Sequence, residues 1–135
     1  MIKFQIEKDL KLQEFIEVLK KSGLANRRPM DNLGLLDRML INSNLLIAAR
    51  HQGQLVGILR GLTDFSYRTF VADLAVIRNF QNQGIGRGLL EEARKSVPDV
   101  RLFLFSAEDA EGFYQKLGFQ LHERCYQLKP EERLL

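Results

Sequence analysis

The sequence predicts a mixed α/β (α+β) domain in which helices pack against both faces of one central sheet. Two kinds of hydrophobic periodicity support this prediction. Residues 2–6 alternate between apolar and polar, as strands do, whereas residues 12–19 repeat their apolar side chains every three or four positions, as helices do. Such segments follow one another along all 135 residues without a linker, repeat or low-complexity stretch. We therefore expect residues 1–135 to form a single domain.

The first third of the chain predicts one strand followed by two helices. The strand is IKFQI (2–6). Asp9 is placed to cap a first helix that ends at Gly23, and Asp31 is placed to cap a second. The predicted inner faces consist of Leu12, Phe15, Ile16 and Leu19 in the first helix and of Leu33, Leu36, Met39 and Leu40 in the second.

The middle of the chain predicts three consecutive strands. Residues 45–50 and 54–62 flank a turn at 51–53 and are typical of a hairpin. Residues 68–77 (RTFVADLAVI) predict a third strand, and their nearly continuous apolar character indicates burial on both faces.

The last third predicts two more helices and two more strands. A helix from Gly84 to Ser96 is followed by a buried strand at 100–105. Ser106 then begins a helix, with Asp109 at a capping-box spacing, and residues 119–128 alternate like a final strand. The predicted order is β-α-α-β-β-β-α-β-α-β. In the helix from Gly84 to Ser96, the predicted apolar face consists of Ile85, Leu89, Leu90, Ala93 and Val97.

Composition narrows the possible functions. The net charge of +3 is mild, and no basic run interleaves with aromatic residues, so a nucleic-acid partner is not expected. The longest apolar run, LLIAA (45–49), is too short for a membrane span, and the start MIKFQIEKDL lacks the features of a signal peptide. With a single cysteine these features predict a cytoplasmic protein. His51 and His122 lie far apart, so no metal site is expected.

The stretch QNQGIGRG (81–88) follows the third predicted strand of the middle segment and opens a helix. The first amides of a helix have no partners within it, and glycines let an anion approach them. The sequence lacks GxxxxGK[ST], and its third glycine comes one residue too early for G-x-G-x-x-G. The alternatives are a diphosphate site and a turn that only packs its helix.

Two blocks carry a resemblance to a known family. QNQGIG (81–86) matches Q/R-x-x-G-x-G/A, the acyl-CoA signature of the GCN5-related N-acetyltransferases (GNAT), and DLAV (73–76) resembles that family's central strand. AEGFYQKLGF (110–119) is similar to its second hallmark, a helix that ends in FYxKLGF. The resemblance covers about residues 45–128.

The resemblance implies transfer of an acetyl group from acetyl-CoA to a primary amine by direct attack on the thioester. Tyr114 would protonate the leaving thiolate, and Leu74 or its neighbour would offer an amide to the thioester oxygen. A monomer or a homodimer is expected, and the acceptor, a small molecule or a protein amine, stays open. The implied cofactor-binding residues are Leu74, Ala75, Val76, Gln81, Asn82, Gln83, Gly84, Ile85, Gly86 and Arg87.

Other roles have open alternatives. Asp73 is either a catalytic base or the partner of a nearby cation. Asp64 and Asp31 are alternative bases, and many enzymes that resemble this family use water chains instead. Arg28 and Asp31 either bind the acceptor or lie in a solvated loop. Ala107 stands where the family often has Asn. The alternative function is a non-catalytic acyl-CoA sensor.

Overall fold

The computed structural model describes all 135 residues, and its backbone forms two compact units, Met1–Phe105 and Ser106–Leu135. The first unit contains eight regular elements, and the second contains α4 (Glu111–Lys116). The elements of the first unit are β1 (Ile2–Ile6), α1 (Leu12–Ser22), α2 (Leu33–Ile41), β2 (Leu45–His51), β3 (Gln54–Thr63), β4 (Arg68–Val76), α3 (Ile85–Ser96) and β5 (Arg101–Leu104).

The five strands form one mixed sheet in the order β1-β2-β3-β4-β5. The first four strands pair antiparallel with their neighbours, whereas β5 pairs parallel to β4. A parallel neighbour needs a crossover connection, and α3 is the helix of that crossover. The predicted fold class is therefore confirmed.

Helices cover both faces of this sheet. A Cβ at Gly57 of β3 would contact Ile85 and Leu89 of α3. Arg60, three residues further along the same strand, contacts the carbonyl of Met39 in α2 and the hydroxyl of Ser43. Side chains an odd number of residues apart point to opposite faces of a strand, so α3 and α2 lie on opposite sides of the sheet.

The ends of the first two helices differ partly from the prediction. α1 begins after Lys11, so Asp9 lies outside the capping position; Gly23 ends the helix with φ +89°, as predicted. α2 is capped by Asn32 rather than Asp31, because the Asn32 side chain accepts the amide of Leu35 at 3.0 Å. Leu33, the first residue of α2, is 58% exposed and does not join the inner face.

Two strands are less buried than predicted. In β4 the residues alternate between buried and half-buried, and the buried set is Thr69, Val71, Asp73 and Ala75. The apolar residues of the other face therefore stay partly open to solvent. β5 is exposed or half-buried along its whole length, because it lies at the end of the strand order.

The second unit also departs from the prediction. Ser106 does not cap a helix: its hydroxyl donates to the Ala107 carbonyl, and α4 begins only at Glu111, after a short 3₁₀ turn. Gly118 follows α4 with φ +95°. Residues 119–128 form no strand, so the sixth predicted strand is wrong. Alternation indicates a strand only where a neighbouring strand completes the hydrogen bonds, and Tyr126 of this segment is 92% exposed.

None of the helices is long and apolar enough to cross a membrane. The structure contains no group of three or more His, Cys, Asp or Glu side chains that could hold a metal ion.

Candidate functional site

Strand β4 has an open backbone edge over its second half. β5 pairs only with Arg68–Val71, so Ala72 to Val76 have no neighbouring strand on that side. The pairing with β3 shifts at the same point, because Arg60 lies opposite Asp73 whereas Gly61 lies opposite Val71. Ala72 is thus the extra residue of a β-bulge, and bulges bend a strand and end its pairing.

Strand register identifies the groups that face this open edge. The amide of Ile77 donates to the carbonyl of Val56 at 2.9 Å, so these two residues form a hydrogen-bonded pair between β3 and the end of β4. Hydrogen-bonded residues alternate along an antiparallel pair. The N–H and C=O of Leu74 therefore point away from β3, into the open edge, as does the N–H of Val76.

A side chain contacts the strand backbone at each end of the open edge. Arg28 donates from Nη2 to the carbonyl of Ala72 at 3.0 Å. Gln81 donates from Nε2 to the carbonyl of Val76 at 2.8 Å. Between these two positions the backbone groups of Leu74 remain available to an extended ligand, which would bind as an added strand does.

The glycine loop ends at the N-terminus of α3. Gly84 precedes the helix with φ +84°, and no side chain caps it. The first helical hydrogen bond runs from the amide of Gly88 to the carbonyl of Gly84 at 2.9 Å. The amides of residues 85–87 therefore have no partner within the helix, and together with the helix dipole they form an arrangement that favours an anion.

Two of the loop's glycines have different roles. A Cβ on Gly84 would meet no atom within 4 Å, so its space is open and only its positive φ requires glycine. A Cβ on Gly88 would collide with the ring of Phe4 in β1. Gly84 leaves room for a ligand, whereas Gly88 lets α3 pack closely on the sheet.

Of the other predicted loop residues, Asn82, Gln83 and Arg87 are exposed, whereas the Ile85 side chain is buried and cannot contact a ligand. Asn82 has φ +63°, Gln83 donates to the carbonyl of Asn79 at 3.3 Å, and Arg87 pairs with Glu91 at 2.8 Å. The Arg87 pair is more than half exposed on both sides, so the guanidinium can exchange this partner for a ligand at little cost.

Asp73 is buried between two arginines. Arg28 Nε contacts its Oδ1 at 2.6 Å, Arg60 Nε contacts its Oδ2 at 2.5 Å, and the Asp73 side chain has no exposed surface. A general base must reach the proton that it removes, and both oxygens here already accept hydrogen bonds. This geometry favours the ion pair that the sequence left open as the alternative role of Asp73.

Arg28 and Asp31 lie in different environments. Arg28 is fixed to β4 by its contacts with Asp73 and Ala72, and its side chain is 20% exposed. Asp31 is exposed just before α2. The structure thus attaches Arg28 to the open edge, a link that the sequence did not indicate.

Tyr114 lies in α4 of the second unit. Its ring packs edge-on against Phe113 and Phe119, with centroids 5.1 and 5.4 Å away. Burial raises the pKa of Tyr114 above its ordinary value of 10.0, and the phenol, like that of any tyrosine with a pKa of 10 or more, is protonated at neutral pH. The hydroxyl is therefore in the form that a general acid needs.

Comparison with known proteins places this fold and site in a family. A family model described as an acetyltransferase (GNAT) domain matches residues 42–121. A GNAT-family acetyltransferase of Streptococcus pneumoniae TIGR4 is similar in structure, with a TM-score of 0.77, 27% identity, and coverage of 99% of this chain and 100% of that one. The aminoglycoside N-acetyltransferase AAC(6')-Iy, solved in complex with CoA, shares the fold with a TM-score of 0.74 at 16% identity, over 97% of this chain and 95% of that one.

Among curated proteins, the uncharacterized N-acetyltransferase ycf52 of Gracilaria tenuistipitata var. liui is 27% identical over 97 residues. That match covers 69% of this chain and 53% of the relative, and the chain spans about half the length of the first curated relatives it matches. The fold and these likenesses define an acetyltransferase domain. The chain belongs to the GNAT acetyltransferase family.

Proposed function

We propose that the chain is an acetyl-CoA-dependent N-acetyltransferase that acts on a primary amine. The observation that carries the proposal is the open edge of β4, which leads from the exposed groups of Leu74 to the free amides at the start of α3. A thioester cofactor with a long amide-containing arm and a diphosphate matches these two features in turn.

The residues present fit this cofactor. Leu74 and Val76 would pair with its amide-containing arm, whereas the backbone groups of Ala75 face Ile58 of β3 and would not. The loop would hold the diphosphate chiefly through the free N–H groups of residues 85–87. The loop residues are Gln81, Asn82, Gln83, Gly84, Ile85, Gly86 and Arg87. The open space beside Gly84 supports this assignment, because a side chain there would occupy the position of the anion. Arg87 adds a positive charge once it leaves Glu91.

When bound, acetyl-CoA supplies an activated acetyl group and a thiolate leaving group. The free N–H of Leu74 is the donor that we assign to the thioester oxygen, where negative charge develops during attack. Tyr114, whose phenol is protonated at neutral pH, is the donor that we assign to the leaving sulfur. We assign Asp73 to holding Arg28 and Arg60, and removal of the amine proton to water.

The proposal also covers the protein's location, oligomeric state and partners. It describes one cytoplasmic domain, residues 1–135, that acts as a monomer or homodimer on a small-molecule or protein amine. It assigns no role to a metal, a nucleic acid or a membrane.

Calorimetric titration with acetyl-CoA, followed by thiol release with a panel of amines, tests the proposal. Micromolar binding with release for one class of amine supports the enzyme. Binding without release would favour the acyl-CoA sensor, and no binding would contradict the assignment of the glycine loop.

Gly84→Val sharpens this test, with Gly53→Val as its matched control. Gly53 has φ +83° and no atom within 4 Å of its added Cβ, as Gly84 does, but it lies in the turn between β2 and β3. Both variants should lose about 1–2 kcal/mol of stability through backbone strain. Only Gly84→Val should weaken acetyl-CoA binding, by about a hundredfold, from the loss of a few charge-assisted hydrogen bonds. Equal affinities in the two variants would contradict the loop's role.

Tyr114→Phe tests the proton donor. The variant keeps the ring that packs against Phe113 and Phe119, so its melting temperature should be unchanged. We expect kcat to fall by about a hundredfold, the usual contribution of a general acid, with unchanged affinity for acetyl-CoA. A variant with full kcat would remove this role from Tyr114.

A further inference from the structure

Arg28 lies at the end of the open edge farther from the glycine loop. It binds the carbonyl of Ala72, whereas Gln81 of the loop binds that of Val76. These positions are four residues apart, which is about 13 Å along a strand. A cofactor anchored at the loop and extended along β4 therefore has its far end, which carries the acyl group under the proposed function, beside the Arg28 guanidinium.

The contacts of Arg28 leave part of its guanidinium unused. Nε donates to Asp73 at 2.6 Å, Nη1 to the carbonyl of Arg27 at 2.8 Å, and Nη2 to the carbonyl of Ala72 at 3.0 Å. Each terminal nitrogen of a guanidinium carries two N–H groups, so one remains on each. The side chain is 20% exposed and is held in place by the three bonds. Guanidinium N–H groups that are held in place in this way can donate charge-assisted hydrogen bonds to a carboxylate or phosphate.

The charge around Arg28 also favours an anion. Arg28 and Arg60 together carry two positive charges, and Asp73, which lies between them, supplies one negative charge. The cluster is therefore net positive, and neither oxygen of Asp73 is free to attract a cation. Arg27 and Asp31, both exposed in the same segment of chain, carry opposite charges and leave this balance unchanged.

From this arrangement we infer that the acceptor is a primary amine that also carries an anionic group, a carboxylate or a phosphate, and that Arg28 binds that group. This inference rests on the proposed function, because it takes the amine to be the acceptor. Arg28 thus determines specificity: it fixes the anionic end of the acceptor and leaves the amine to approach the thioester.

Paired acceptors test the inference in the unmodified protein. Glycine, β-alanine and 4-aminobutyrate are each compared with the corresponding carboxamide, and O-phosphoethanolamine is compared with ethanolamine, at equal concentrations of unprotonated amine. We expect kcat/KM to be at least about tenfold higher for one anionic member than for its neutral partner, the effect of one charge-assisted hydrogen bond. The carboxylate and phosphate pairs show which anion is preferred.

Arg28→Gln and Arg60→Gln form a matched pair of variants. Each removes one guanidinium from Asp73, but Arg60 is only 7% exposed and cannot reach an acceptor. Arg28→Gln should reduce the preference for the anionic acceptor to within about twofold, as expected when a charged hydrogen bond is lost. Arg60→Gln should keep the preference even if it lowers the melting temperature. Loss of the preference in both variants would mean that the preference depends on an intact Arg28–Asp73–Arg60 cluster. That result would overturn the specific role of Arg28.

Acetyl-CoA titration on the same samples separates failure of this inference from failure of the proposed function. Equal turnover of anionic and neutral acceptors, or a preference for a polyamine, overturns the inference while the acetyltransferase stands. Binding of acetyl-CoA without turnover of any amine, or no binding, overturns the proposed function and the inference together.

Discussion

Two ion clusters in the first unit have opposite compositions. In one, Arg50 of β2 lies between Glu7 and Glu14, with N–O distances of 2.7 and 2.8 Å. In the other, the Asp73 carboxylate lies between Arg28 and Arg60, at 2.6 and 2.5 Å. The first cluster is net negative and the second is net positive, although each joins three chain segments.

The clusters also differ in what they adjoin. The glutamates of Arg50 belong to the segment after β1 and to α1, and Arg50 also donates to the carbonyl of Gly53 in the turn between β2 and β3. Asp73 follows the bulge residue Ala72, and Arg28, which pairs with Asp73, also donates to the carbonyl of Ala72. We infer that the Arg50 cluster joins elements of the fold, whereas the Asp73 cluster holds the Arg28 guanidinium in place beside the candidate site at the open edge of β4.

Asp73→Asn should give the largest effect on stability. Two guanidinium groups would lose their common carboxylate, and a buried ion pair broken on one side costs about 3–5 kcal/mol of unfolding free energy. Urea unfolding measures this loss. The variant that remains folded should keep the shape of the pH profile of kcat, because we assign Asp73 to the ion pair and not to proton removal. Native stability combined with a collapse of kcat would restore the catalytic role of Asp73.

Arg50→Gln should have a smaller effect. Its two glutamates are partly exposed, at 18% and 34% of their side chains, and water can solvate them after the arginine is lost. We expect a loss of about 1–2 kcal/mol, with unchanged affinity for acetyl-CoA. A stability loss equal to that of Asp73→Asn, or weaker cofactor binding, would remove the distinction between the clusters.

The sequence predicted most of the sheet because its strands carry local signals. The turn at 51–53 and the alternation of residues 2–6 depend only on neighbours in the chain, and both predictions are confirmed. The pairing of Arg60 with Asp73 depends on register. Counting from the pair Thr63–Thr69 puts Arg60 opposite Ala72, and only the bulge brings Asp73 into that position. The alanine at position 72 does not by itself indicate a bulge.

The candidate site was predicted unevenly for the same reason. QNQGIG carries its own geometry, since a positive φ at Gly84 and free helix amides follow from local sequence. Arg28 reaches β4 across 44 residues of chain, and no local pattern encodes such a contact. The predicted strand at 119–128 is the converse case, because its alternating pattern is present in the sequence but no strand forms.

The smallest expected effect is a pH dependence specific to the Arg50 cluster. Hydrogen bonds from Arg50 lower the pKa values of Glu7 and Glu14 below their ordinary value of 4.5. Carboxyls with lowered pKa values stabilise the folded state above that value and lose this contribution as the pH falls through their folded pKa values. The stability difference between the unmodified protein and Arg50→Gln should therefore be constant from pH 7 to about pH 5 and narrow below about pH 4.5. Urea unfolding at stepped pH measures it, and a difference that stays constant down to pH 3 would show that packing of the Arg50 side chain, rather than its charge, joins these elements.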